Sequence, residues 1–282
     1  MAEVTLLGIA QDGGRPQPSC LMDCCKDISH DQISFPTSLG TNFQDGSKHL
    51  FDVTRNLGQQ LKLWGENDPN HVWLTHAHFG HVDGLGLFGR ETIGAKGIKL
   101  HVSSKMADLI HSTPQWSLMI EQGVFEIDMF QTGDKVQFGS ECIEPIIVPH
   151  RDELSDMHAF IVRGENHSLL YLPDHDTWEE TLDSYGCKLI RDWLDKLNID
   201  ILLVDGTFWS QHELTGRLQT EVPHPPVSQT IAHLGTRLPD DPELYFIHLN
   251  HTNPLYDKSS SAFRTVESMG WKVGIQGMKL TL

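Results

Sequence analysis

The stretch Val72-Trp73-Leu74-Thr75-His76-Ala77-His78-Phe79-Gly80-His81 constrains this chain more than any other. An apolar run that reads as a buried strand ends in three imidazoles. On a strand, His76 and His78 point the same way because side chains alternate with period two, and His81 can fold back as the chain turns into a helix. Ligands at a rigid strand end are well placed to fix a metal, and neutral imidazoles suit zinc, iron and related ions. Buried imidazoles with neither metal nor partner are costly, so a metal site is expected here.

Histidine is abundant throughout, with 17 in 282 residues, in a chain whose 21 Lys plus Arg face 38 Asp plus Glu for a formal charge of −17. That balance argues against a broad electrostatic grip on nucleic acid or an anionic membrane. The expected partner is a small-molecule substrate, with neither nucleic acid nor membrane. No apolar run approaches the roughly 20 residues that span a bilayer, and the start Met1-Ala2-Glu3-Val4 lacks the pattern of a signal peptide. The five cysteines, Cys20, Cys24, Cys25, Cys142 and Cys187, are few and odd in number, unlike a secreted disulfide framework. A cytoplasmic protein is expected. A homodimer is compatible with the sequence, though nothing in it requires one.

Along the chain, Val4–Ile9 reads as a strand, followed by a Gly-, Pro- and Cys-rich loop over 11–36. Loops of that length in compact domains are usually functional or held by something. Thr37–Phe43 and His49–Val53 flank Asp45-Gly46, a hairpin signal. Leu57, Leu61 and Trp64 recur at helical spacing. Further strands are expected at Leu100–Val102, Val124–Phe130, Ile143–Val148, Ala159–Val162, Leu169–Leu172, Ile201–Val204 and Leu244–His248. Helices are expected around 105–111, 177–197, 228–235 and 260–269. Strands alternating with helices, with hairpins mixed in, predict one α/β domain over 1–282 with mixed sheets. In the long loop, Cys20, Cys24 and Cys25 form a group able to hold a structural zinc, with Cys or His as a fourth ligand; His30 is within reach in sequence.

The histidine run resembles the metallo-β-lactamase superfamily, whose signature is His-x-His-x-Asp-His after a strand. The resemblance implies an αββα four-layer sandwich with metals between the sheet edges. Here the motif reads His76-Ala77-His78-Phe79-Gly80-His81, with Gly80 where the family carries an aspartate of the second metal. Glycine has no donor atom, so that site is weakened or differently coordinated, and Asp83 does not replace the aspartate directly. Taken in family order, His76, His78 and His150 are implied to hold the first metal, His81 and His248 the second, and Asp174 to bridge them. Zn2+ is the implied cofactor, as one or two ions, with iron or manganese as alternatives.

Other segments resemble the branch of the superfamily that holds the B protein of pyrroloquinoline quinone (PQQ) synthesis. They are Gln11-Asp12-Gly13-Gly14 with Pro16-Gln17 and Cys20, Pro149-His150-Arg151-Asp152-Glu153, Leu203-Val204-Asp205-Gly206-Thr207-Phe208-Trp209, Ile247-His248-Leu249-Asn250-His251-Thr252-Asn253-Pro254 and Gly277-Met278. That branch lacks the full histidine pair which this chain has at 76 and 78. In the phosphodiesterase branch, a histidine before a helix is paired with a carboxylate. His224 and Asp205 are placed like that pair, which makes His224 the expected proton donor to the leaving group. His251 is the second candidate acid and His175 a third. The expected function is hydrolysis of a small phosphodiester, ester or lactone by a metal-bound hydroxide. The alternatives are a metal-dependent oxidoreductase or accessory protein related to PQQ synthesis, and a non-enzymatic metal-binding carrier.

Overall fold

The computed structural model describes residues 1–214 and 222–282. The first half of the chain lays down β1 (Glu3–Gly8), β2 (Ser38–Asn42), β3 (Lys48–Phe51), β4 (His71–Trp73), β5 (Ile98–Val102) and β6 (Phe125–Met129). The second half lays down β7 (Val136–Phe138), β8 (Glu141–Ile147), β9 (His158–Arg163), β10 (Ser168–Leu172), β11 (Ile201–Asp205), β12 (Glu243–Ile247) and β13 (Lys272–Val273), and β14 (Lys279–Thr281) returns to pair with β1. The two seven-stranded sheets have the orders β14-β1-β2-β3-β4-β5-β6 and β13-β12-β11-β10-β9-β8-β7. Each is antiparallel at one end and parallel at the other. This is the expected αββα sandwich of mixed sheets.

Three apolar layers hold it together. On the outer face of the first sheet, Leu57, Leu61 and Trp64 of α1 (Leu57–Trp64) and Met106 and Ile110 of α3 (Ser104–Ser112) cover Val72 and Leu100. On the second sheet, Trp178 of α5 (Trp178–Ser184), Trp193 of α6 (Ile190–Leu197), Ile231 of α7 (Val227–Leu234) and Val266 of α8 (Ser261–Ser268) cover Leu170, Leu202 and Phe246. Between the sheets, Phe51, Trp73, Phe160, Tyr171, Leu203 and Ile247 form the central layer. Both faces of β10, β11 and β12 are therefore buried, which is why these strands read as unbroken apolar runs.

Local chemistry sets the element ends. Gly46, at φ 88°, turns the β2–β3 hairpin, and the Ser103, Thr177 and Ser260 hydroxyls accept the first backbone N–H groups of α3, α5 and α8. The helical pattern over 177–197 is interrupted: α5 stops at Ser184, Gly186 takes a left-handed φ of 64°, and α6 starts at Ile190. Periodicity alone did not register that break. It also missed β7, β13, β14 and α4 (Pro114–Glu121), whose apolar patterns are too short or too weak to read, while the helical turn expected at His81 is the four-residue α2 (Phe79–Val82).

The inter-sheet layer also holds histidines with no place in the metal pattern. His49, His71 and His101 lie on adjacent strands, with ring centroids 4.6 Å apart for His49–His71 and 5.1 Å for His71–His101. Trp73 stacks on His101 at 3.8 Å, and Phe138 closes edge-on over His49 at 4.3 Å from the other sheet. The Trp73 indole N–H donates to His49 Nδ1, which fixes that ring as neutral. Burial first, then the neighbouring His71 and Lys99, takes His101 down to about 3, and burial likewise holds His49 well below its usual value. The unfolded chain, with histidines near pKa 6.5, thus binds more protons than the folded one, so stability falls as pH drops from about 6.5 toward 3. The melting temperature should decline across that window, and His101→Gln should flatten the decline. Parallel slopes for the two proteins would remove the stack as its source.

Candidate metal centre

Parallel pairing brings the carboxyl ends of strands side by side. Asp52 follows β3, His76 follows β4, Asp174 follows β10, Asp205 ends β11 and His248 follows β12, while His150 arrives just beyond β8. Because β4 ends at Trp73, His76 and His78 lie beyond the strand, and strand alternation is not what aligns them. Instead the chain leaves the sheet and turns into α2, with His78 as its N-cap and Val53 N–H tied to His81 O.

Two groups of ligand atoms result. His76 Nε2 and His78 Nδ1 are 2.8 Å apart, and His150 Nε2 lies 3.3 Å from His78 Nδ1. The second group contains His81, His248 and Asp12, with both His81 Nε2 and His248 Nε2 3.5 Å from Asp12 Oδ1. Asp174 sits between the groups: its Oδ2 is 3.2 Å from His81 Nε2 and 3.6 Å from His248 Nε2, and its Oδ1 is 3.8 Å from His150 Nε2. The structure thus brings together all six residues proposed as ligands.

The far nitrogen of each ring is tied down. Thr75 Oγ1 donates to Asp52 Oδ1, so it accepts from His76 Nδ1 at 3.0 Å. Thr207 Oγ1 donates to Asp205 Oδ1 and so accepts from His248 Nδ1 at 2.8 Å. His81 Nδ1 donates to Asp52 Oδ2 at 2.7 Å and His150 Nδ1 to Asp176 Oδ1 at 2.9 Å. These partners leave the four Nε2 atoms turned inward, as outer partners of metal-bound imidazoles do. Asp52 and His248 both hold left-handed backbone, φ 60° and 59°, a conformation that costs of order 1–3 kcal/mol and clusters at functional sites.

Electrostatics reflect the crowding. Burial holds His76 well below its usual value and lowers His78. Burial opposes charge on Asp174, but His248 and His81 outweigh it and keep the carboxyl well below the carboxylate range. His81 is the reverse case, raised well above its usual value by Asp52 and Asp174 despite burial.

Beside Asp174, His224 Nδ1 lies 2.6 Å from Asp205 Oδ2 and 3.9 Å from Asp174 Oδ1. Burial works against charge on the His224 ring, and Asp205 overcomes it, so its pKa is raised. His175 is buried against Trp178 and taken down to about 4 by burial, and its ring nitrogens have no hydrogen-bond partner among the described residues. Arg151 brings a guanidinium Nη2 to 3.4 Å from His78 Nδ1, and its Nε is buried without a hydrogen-bond partner among the described residues.

His251 is placed among the cysteines. Its Nδ1 is 3.4 Å from both Cys24 Sγ and Cys25 Sγ, and Cys20 Sγ is 3.8 Å from Cys24 Sγ. The fourth member of that group is therefore His251, near in space and remote in sequence, and His30 does not join it among the described residues. Burial, then the neighbouring thiols, raises Cys24 to about 12.

Sequence reasoning passed over Asp12, Asp52 and Asp176 as participants. Asp52 carried a faint signal, a carboxylate ending the apolar run Leu50-Phe51. Asp12 stood in the Gln11-Asp12-Gly13-Gly14 segment that carries the branch resemblance, without a role of its own, and Asp176 carried no signal, since loop aspartates are ordinary. Asp83, already set aside, pairs with Arg55 at 2.7 Å.

The donor set fits a metal. It consists of imidazole nitrogens and carboxylate oxygens, and His81 Nε2, Asp174 Oδ2, His224 Nε2 and His248 Nε2 are buried with no hydrogen-bond partner among the described residues. A family model described as a beta-lactamase superfamily domain matches residues 41–249, and the chain belongs to that superfamily. Together with the fold and the ligand groups, this defines a metal-dependent hydrolase of that class.

Among curated proteins, the chain is similar to coenzyme PQQ synthesis protein B of Methylococcus capsulatus, 23% identical over 316 residues and covering 99% of each. It is also similar to the protein of that name from Methylobacterium nodulans, 27% identical over 320 residues, covering 99% of this chain and 100% of the other. Among solved structures, Zn2+-bound PqqB from Methylobacterium extorquens superposes with a TM-score of 0.78 at 18% identity, covering 99% of this chain and 100% of that one. A diphosphatase of the PhnP family superposes with a TM-score of 0.70 at 18% identity, covering 100% and 98%. These likenesses establish the shared fold.

The outer partners yield a prediction. Asp176→Asn weakens the hydrogen bond that aims His150, so metal affinity should fall about 10–100-fold, the usual effect of losing such a partner. Calorimetric titration with Zn2+ reads this directly, and an unchanged affinity would deny Asp176 that role.

Proposed function

We propose that this protein hydrolyses a small phosphodiester at a centre where His76, His78 and His150 hold one Zn2+ and His81 and His248 a second, with Asp174 between them. The observation that carries the reading is the pair of histidine groups meeting on opposite oxygens of Asp174, with the Asp205–His224 pair alongside. A divalent ion bound there supplies Lewis acidity and lowers the pKa of a water to about 7. Asp205 holds the His224 ring through Nδ1 and favours its protonated form, and Nε2 then carries the proton that the leaving oxygen takes. Arg151 brings a cation to the site, which favours an anionic substrate over a neutral ester or lactone. In the long loop, Cys20, Cys24, Cys25 and His251 hold a structural zinc, and His251 replaces its earlier assignment as an acid.

A second reading is favoured by similarity to PQQ synthesis protein B over 99% of the chain: an oxidative or accessory step in quinone synthesis, with iron in place of zinc. Elemental analysis of protein purified without added metal separates the two, since iron in the centre supports the second reading and zinc the first.

His224→Ala, assayed on bis(p-nitrophenyl) phosphate at full metal occupancy, should lose about 10²–10⁴ in kcat, the range for a general acid; undiminished turnover would refute the acid role. Replacing Cys20, Cys24 and Cys25 together with Ala should lower the zinc content by one equivalent per chain. A zinc count that does not drop would leave those thiols without a metal.

A further inference from the structure

The second ligand group lacks the carboxylate that the superfamily's motif carries at the position of Gly80, yet the structure places a carboxylate there. A β-carbon built on Gly80 would fall 2.5 Å from both Cα and Cγ of Asp12, a separation that real atoms do not tolerate. The space that a side chain at 80 would use is filled by the Asp12 carboxylate, delivered from a different part of the chain. We propose that Asp12 is a ligand of the second metal, together with His81, His248 and Asp174, and that the glycine at 80 is the condition for its entry. This rests on the two-ion reading of the centre.

The geometry carries the assignment. Asp12 Oδ1 stands 3.5 Å from His81 Nε2 and 3.5 Å from His248 Nε2, while Asp174 Oδ2 is 3.2 Å and 3.6 Å from the same two atoms. Four donors at 2.0–2.1 Å around a tetrahedral ion stand roughly 3.3 Å from one another, so these separations suit one ion. Backbone bonds fix Asp12 in place: Leu249 N–H donates to Ile9 O at 2.7 Å and Gln11 N–H to Leu249 O at 2.9 Å. The N-terminal loop is thus stitched to the residue directly after His248. The Cys20, Cys24, Cys25 and His251 group ties the same two segments together again further along. A shift of either segment would separate Asp12 from His248.

The test follows metal occupancy in the full chain, stripped with chelator and titrated with Zn2+, with the ions located by anomalous scattering. The wild-type protein should hold ions at both ligand groups. Asp12→Ala should keep the ion on His76, His78 and His150 and lose at least tenfold in affinity between His81 and His248. Gly80→Ala should do the same with every ligand still present, because its β-carbon displaces the loop. Asp12→Ala combined with Gly80→Asp should recover the second ion by returning the carboxylate through the other segment. Should Asp12→Ala fold poorly, Asp12→Asn gives the same readout with the side-chain shape kept. A variant that holds both ions as tightly as the wild type overturns the assignment of Asp12 alone. A wild-type protein with no ion between His81 and His248 overturns the two-ion reading as well.

Discussion

A single buried carboxylate, that of Asp174, organises this molecule. Taking a charge out of water costs several kcal/mol unless opposite charge and hydrogen bonds replace the solvent. Asp174 sits at the end of β10, in the middle of the second sheet, and what surrounds it are imidazoles from both halves of the chain. Each ring is prevented from turning its lone pair elsewhere by an outer partner, Thr75, Asp52, Asp176 or Thr207. The centre is therefore a set of donors aimed at common points by groups that never reach those points themselves.

The sandwich exists, in functional terms, to bring two sets of strand ends to one place. The first sheet delivers Asp52 and the histidines after β4, and the second delivers His150, Asp174, Asp205 and His248. Neither sheet carries a complete ligand set. What locks the sets in register is the aromatic layer between the sheets, where Phe51, Trp73, Phe160 and Tyr171 pack together. Tyr171 joins both tasks, because its hydroxyl donates to Asp52 Oδ2, the carboxylate that aims His81. Loosening this layer would loosen the site, so core packing and ligand geometry cannot vary independently here.

The strand pattern and most of the candidate ligands were legible in the sequence because their signals, apolar runs and a motif resembling the superfamily's, are local. Apolar runs doubly buried in β10, β11 and β12 read as strands without ambiguity, and His76, His78, His81, His150, Asp174 and His248 each stand at or just past the end of such a run. The residues that escaped are those whose meaning is set by distant neighbours. Asp12 sits in a loop with no periodicity, Asp176 is one aspartate in a polar turn, and His251, read as the second candidate acid, lies against Cys24 and Cys25 of a loop remote in sequence. The His49, His71 and His101 stack escaped for the same reason, as its members come from three strands that become neighbours only through parallel pairing.

By itself the sequence determined that strands and helices alternate in a mixed α/β arrangement, since hydrophobic periodicity is written in consecutive residues, and its strand-end motifs carried the resemblance that implied the four layers and the candidate ligands. It also marked, at Gly80, where the usual pattern is broken. Only the tertiary structure decided what stands in that gap and which nitrogen of each ring faces inward. Those depend on backbone bonds and side-chain contacts between segments such as Ile9–Asp12 and His248–Leu249, far apart in the chain and adjacent in space.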